Sequence, residues 1–182
     1  MLRYLAHAAI AGATIPSIIA AQESFVPYDE VRAENPGLTQ ECIAQDGDTC
    51  LGLVEHRGSV ARPDLRLVFA YSAEPRIVIR LDVPAVTRDG QLCMDMRRAD
   101  LRVVSDLPPS LARDIDAAAC RAAIGEVEGW SCVAYYRNPE GGYFQYTTDN
   151  GEPSAPFDRA LDRSVFVESR PQIRALIDEP GF

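Results

Sequence analysis

The chain offers little to a general acid–base or nucleophilic mechanism. Its two histidines are His7, inside a leading apolar run, and His56, in the stretch LVEHRGS beside Glu55 and near Ser59. A catalytic triad would have to be built on His56, yet no Gly-x-Ser-x-Gly elbow presents a serine to it. A lone histidine close to a strand end has a plain alternative role as a structural or exposed side chain. Every basic residue is an arginine. Without lysine there is no phosphate-binding loop of the Gly-Lys-Ser/Thr kind, no Schiff-base lysine and no Ser-x-x-Lys acyl-enzyme centre. A zinc site of several histidines is excluded as well, and nothing calls for a metal or another cofactor. Carboxylates are plentiful, so a two-carboxylate glycosidase is compatible with composition, although it requires a deep cleft. Asp46 with Asp48, and Asp149 with Glu152, sit in turn-like sequence and lack the twelve-residue pattern of a calcium loop.

Five cysteines follow the leading run: Cys42, Cys50, Cys93, Cys120 and Cys132. In an exported chain such cysteines form bridges before they hold metals. Cys42 and Cys50 flank a turn signal, Asp46-Gly47-Asp48, and are the first expected pair. For the second pair the expectation is Cys120–Cys132, tying a helix to the following strand, with Cys93–Cys132 as the competing arrangement. The first choice leaves Cys93 as the odd thiol. No Cys-x-x-Cys occurs, and Asp95 on the same strand face as Cys93 opposes thiolate formation, which speaks against thiol-redox chemistry.

The remaining candidate is a surface. WSCVAYYRNPEGGYFQYTTDNG, residues 130–151, holds six of the fourteen aromatic residues. Two strand-like runs flank Asn138-Pro139-Glu140-Gly141, the layout of a hairpin. If the more apolar faces, with Trp130, Cys132, Phe144 and Tyr146, turn to the core, then Tyr135, Arg137, Tyr143, Gln145 and Thr147 remain outside as a ligand platform. Strand propensity alone accounts for the same composition.

The elements that must position these groups are mostly strands. RIVIRLD alternates Ile77, Ile79 and Leu81 against Arg76, Arg80 and Asp82, and LRLVFAY precedes it across a turn, so the two form a hairpin. QLCMDMR places Leu92, Met94 and Met96 on one face. Shorter strands are expected at 101–105, 50–55 and 164–168. One helix is expected after Ser110, where Leu111, Ile115, Ala118 and Ala122 share a face of an alanine-rich segment ending at Gly125. A short second helix is expected from Pro171 through Ile177. Together these read as an α+β fold, a mainly antiparallel sheet with the alanine-rich helix packed on it. A β-sandwich or small barrel with an attached helix is the alternative.

Residues 1–21 have the layout of a secretory signal peptide: Arg3, an apolar run, then Ala20 and Ala21 before polar residues. Residues 22–38 read as a loose N-terminal arm and residues 39–182 as a single domain. Loss of the leader leaves 17 basic against 27 acidic residues, which argues against nucleic acid and anionic membranes as partners. The arginine bias and the absence of an Asn-x-Ser/Thr acceptor point to a bacterial protein, periplasmic or secreted. The chain therefore reads first as an exported, non-enzymatic binding domain for a protein or an envelope glycan. The alternatives are a small hydrolase using His56 or a carboxylate pair, and a thiol-redox protein.

Overall fold

The structure is a computed structural model that describes residues 24–73, 76–111, 113–114, 129–153, 157–159 and 161–175. The expected leader lies outside these residues, as does Cys120 with most of the expected alanine-rich helix. In chain order the elements are β1 (Phe25–Val26), α1 (Tyr28–Glu34), β2 (Gln40–Ile43), β3 (Thr49–Cys50), β4 (Gly52–Ser59), β5 (Arg62–Ser72), β6 (Ile77–Arg88) and β7 (Gln91–Asp95). A 3-10 turn (Met96–Arg98) leads to β8 (Asp100–Ser105), and then come β9 (Trp130–Arg137), β10 (Tyr143–Asp149), β11 (Glu152–Pro153), β12 (Arg163–Val167) and β13 (Gln172–Ile173).

Eight of these strands close into an antiparallel barrel. The order β2-β4-β5-β6-β7-β9-β10-β12 follows the chain, and β12 returns to pair with β2. The β6–β7 turn uses Asp89 and Gly90, both at positive φ (49° and 77°), the two-residue connection whose twist matches antiparallel strands. β8 prolongs β7 along the same edge of β6, from Ile77↔Ser105 to Asp82↔Asp100. Closure removes the open edges that an isolated sheet would expose to other chains.

The open α+β sheet with a helix laid on it is thereby overturned, and the barrel alternative fits. The helix that seals the interior is α1, in the segment expected to be a loose arm. β1 pairs with β9, Phe25↔Tyr136 and Val26↔Tyr135, and the Tyr28 amide donates to Gly90 O at 2.8 Å. Tyr28 and Val31 are buried, so α1 acts as a plug in one end of the barrel. Helical backbone does begin at Pro109, where Arg113 Nε donates to the Pro109 carbonyl. Over its described residues, 171–175, the expected C-terminal helix is instead extended: β13 lies parallel to β3, with Ile173 opposite Cys50.

Alternation then sorts side chains into inside and outside. Leu65, Leu67 and Phe69 of β5, Leu81 and Val83 of β6, and Leu92 and Met94 of β7 point inward. At Gly52 a Cβ would lie 2.5 Å from the Phe69 ring, so the glycine lets that ring cross over β4. Outside, Asp82 collects Arg57, Arg66 and Arg80 into one ion network.

Two disulfides clamp the wall. Cys42 is bonded to Cys50 and Cys93 to Cys132. The second bridge replaces the expected Cys120–Cys132 pairing. Cys93 and Cys132 are direct register partners on β7 and β9, and neighbouring positions on one face of a sheet are the short route between sulfurs. Cys93 is therefore not an odd thiol.

Candidate functional site

The register of β9 and β10 decides the fate of the aromatic stretch. The pairs Tyr143↔Arg137, Gln145↔Tyr135, Thr147↔Val133 and Asp149↔Ser131 form the inner set, while Phe144↔Tyr136, Tyr146↔Ala134 and Thr148↔Cys132 form the outer one. The hairpin is where the sequence placed it, but its faces are exchanged. Tyr135 is 1 % exposed and Tyr143 4 % exposed. Gln145 and Thr147 line the barrel interior, and Arg137 alone is exposed, bound to Glu34 of α1. The surface platform is thus corrected. The outer aromatics are covered from outside instead: Arg88 lies 3.6 Å from the Trp130 ring centre, Phe25 packs edge-on to Tyr136, and Phe157 packs on Phe144.

At the plugged end the inner face turns polar around one carboxylate. Glu41, fully buried on β2, accepts four hydrogen bonds. His56 Nε2 (2.7 Å) and Tyr135 OH (3.0 Å) reach Oε2, and Gln145 Nε2 (2.7 Å) and Ser164 Oγ (2.6 Å) reach Oε1. On its far side His56 Nδ1 meets Tyr28 OH of the plug at 3.0 Å. Glu41 therefore joins β2, β4, β9, β10 and β12 directly, and α1 through His56. Burial pushes its carboxyl pKa upward, but the hydrogen bonds from His56, Ser164 and Tyr135 and the His56 charge hold it below the usual value, so the group is ionised. Burial lifts Tyr28 to about 12 and Tyr135 well above its ordinary range. Both hydroxyls stay protonated. A second knot tightens the plug: Tyr143 OH donates to Glu34 at 2.6 Å and accepts from Asn35 Nδ2 at 3.0 Å.

Toward the other end the described residues enclose a cavity of about 350 Å³. It is walled by apolar side chains, among them Val54, Leu67, Phe69, Leu92, Met94 and Val133. Its polar lining consists of Ser131, Tyr135, Gln145, Thr147, Asp149 and Asp162. Burial raises the Asp162 pKa, with the Asp158 charge adding to it. A volume of this order lies within the ~300–1,000 Å³ typical of small-molecule sites. Eight-stranded barrels can also hold one such ligand.

The remaining sequence candidates do not assemble into a reaction centre. Both ring nitrogens of His56 are occupied, by Glu41 and Tyr28. Asp149 and Glu152 face each other across a hairpin as register partners, and Asp46 bridges to Thr49 in its turn. Among the described residues no group of three or more His, Cys, Asp or Glu is placed to hold a metal ion, and no helix is long and apolar enough to cross a membrane. Sequence reasoning passed over Glu41, Ser164 and Tyr28. The one signal was an acidic residue within a short strand whose neighbour, Cys42, is itself buried. Comparison with known protein families, with curated proteins and with solved structures finds no match.

Proposed function

We propose that this protein is an exported, non-catalytic barrel that takes a small, mainly apolar molecule into this cavity. The observation that carries the reading is the asymmetry of the interior. One end is filled by α1 and the Glu41 cluster, while the same barrel keeps a cavity walled by aliphatic, methionine and phenylalanine side chains at the other. Close packing is the rule for protein interiors, so a lined void of this size in a disulfide-clamped wall suits a resident ligand. The two bridges support life in an oxidising compartment, and the N-terminal sequence supports export to the periplasm or beyond. The occupied nitrogens of His56 favour binding over hydrolysis.

The test is saturable binding of N-phenyl-1-naphthylamine, a neutral probe that brightens in apolar sites. Wild-type protein should bind one equivalent. Ser131→Phe, which builds a ring into the cavity, should abolish binding while near-ultraviolet circular dichroism stays native. Val104→Ser, on the exposed outer face of β8, should bind as wild type. An absence of saturable binding in the wild type, or unchanged binding in Ser131→Phe, refutes the proposal.

A further inference from the structure

The hydrogen-bonding groups that line the cavity are unequal. Two of its donors turn to the carboxylate beneath it: Tyr135 OH and one N–H of the Gln145 side-chain amide both point to Glu41. The turn of that amide leaves the Gln145 carbonyl oxygen without a partner among the described residues. Asp162 is the backbone neighbour of Gln145, whose main-chain N–H donates to the Asp162 carbonyl at 2.7 Å. Asp162 Oδ2 accepts from the Asp158 backbone N–H at 2.6 Å, and its other oxygen has no partner among the described residues. Further along the wall Ser131 and Asp149 face each other as register partners. Ser131 is 6 % exposed, and its hydroxyl is unpartnered and lines the cavity. Among the described residues no arginine contributes to the lining.

A ligand entering this site thus meets acceptors and negative charge around an apolar bore. A carboxylate or phosphate head would meet the two acidic side chains Asp149 and Asp162, with no cationic donor among the described lining residues to offset them. A carbonyl or ether would leave the acceptors unpaired, which is costly once water is displaced. A protonated amine is the reverse: it offers only donors and one positive charge. Methionines 94 and 96 give the bore a soft lining that adapts to a flexible chain.

We infer that this cavity selects a cationic amphiphile, an alkyl or aryl amine whose ammonium meets the Gln145 carbonyl oxygen and Asp162, with Ser131 and Asp149 further along the wall adding acceptors and negative charge, and with its apolar body against Leu67, Phe69, Leu92 and Met94. The inference rests on the reading of the cavity as a small-molecule site, and the experiment separates the two. Decylamine, decanol and decanoate, three head groups on one chain, compete against N-phenyl-1-naphthylamine at neutral pH. Decylamine should displace the probe about tenfold more tightly than decanol, the factor one charge-assisted hydrogen bond supplies. Decanoate should be weakest. Asp149→Asn with Asp162→Asn should bring decylamine to the level of decanol and leave decanol unchanged, with native circular dichroism. Saturable probe binding with decanol or decanoate matching decylamine overturns the cationic selection and leaves the barrel reading standing. Persistence of the amine preference in the double variant overturns the assignment to these carboxylates. A protein that takes up no probe at all overturns both readings.

Discussion

Glu41 is the residue on which the plugged end turns, and replacing it with glutamine gives a test whose sign is fixed beforehand. Buried ionised groups are often no better than neutral ones, because desolvation cancels what their partners supply. Here the direction of the Glu41 pKa decides. A folded value below the unfolded ~4.3 means that the barrel favours the carboxylate over the neutral acid more than water does. Glutamine is the closest mimic of the neutral acid, so Glu41→Gln must destabilise. The upper limit comes from counting bonds: four charge-assisted hydrogen bonds become neutral ones, each weaker by about 1 kcal/mol. Tyr135 and Ser164 can rotate to accept from the new NH₂, which recovers part of this. The expected loss at pH 7 is therefore about 1–4 kcal/mol.

The pH dependence is a second, independent reading. A carboxylate with a depressed folded pKa adds stability above its unfolded pKa and loses it as pH falls through the folded value. The gap between wild type and Glu41→Gln should be full at pH 7, narrow below about pH 4.3 and close at lower pH. Glu34, Asp82 and Asp95, whose pKa values are also lowered, titrate in both proteins and cancel in the difference. Urea unfolding followed by Trp130 fluorescence at pH 7, 5 and 3 measures it. A glutamine variant as stable as wild type at pH 7, or a gap that stays constant into acid, would refute the claim that the carboxylate holds this end together.

Two further perturbations read other parts of the molecule. The Cys93–Cys132 bridge spans 39 residues and Cys42–Cys50 spans 8, so chain entropy predicts losses of about 4 and about 2.5 kcal/mol when each is removed as a double alanine variant. Urea midpoints that rank them the other way contradict this account. Asp162 has a raised pKa, and its sign is opposite to that of Glu41. Its neutral form is favoured in the fold, so its contribution is lost as pH rises through the folded value. Asp162→Asn should therefore leave stability unchanged at pH 3 and increase it at pH 7, as thermal unfolding at the two pH values will show.

Much of the strand pattern was legible because period-2 alternation is a local signal. Ile77, Ile79 and Leu81, and Leu92 with Met94, share a face in the barrel as their spacing demands, while Met96 is buried from the 3-10 turn that follows β7. Closure was not legible, since it rests on pairs such as Val165↔Cys42 that join distant residues and leave no mark on either segment. The faces of the aromatic hairpin were read in reverse for a related reason. Hydrophobicity was taken to mark the inside, but the Glu41 cluster draws Tyr135, Gln145 and Ser164 inward, and Phe25, Arg88 and Phe157 shield the apolar residues left outside. The plug was missed because Tyr28 and Val31 form one turn of a seven-residue helix, too short for a recognisable period.

The two ends of the barrel are coupled by the residues they share. Tyr135 and Gln145 serve Glu41 on one side and line the cavity on the other. The hydrogen bonds that fix the plug thereby also fix which atoms the cavity presents. A floor held by a buried carboxylate cannot easily turn its donors outward, because each one removed leaves an unpaired charge below. In the binding role proposed for this barrel, specificity follows from how its closed end is stabilised. In that role a ligand that donates hydrogen bonds completes the wall as it stands, whereas one that accepts them finds Tyr135 OH and one Gln145 N–H already committed to Glu41.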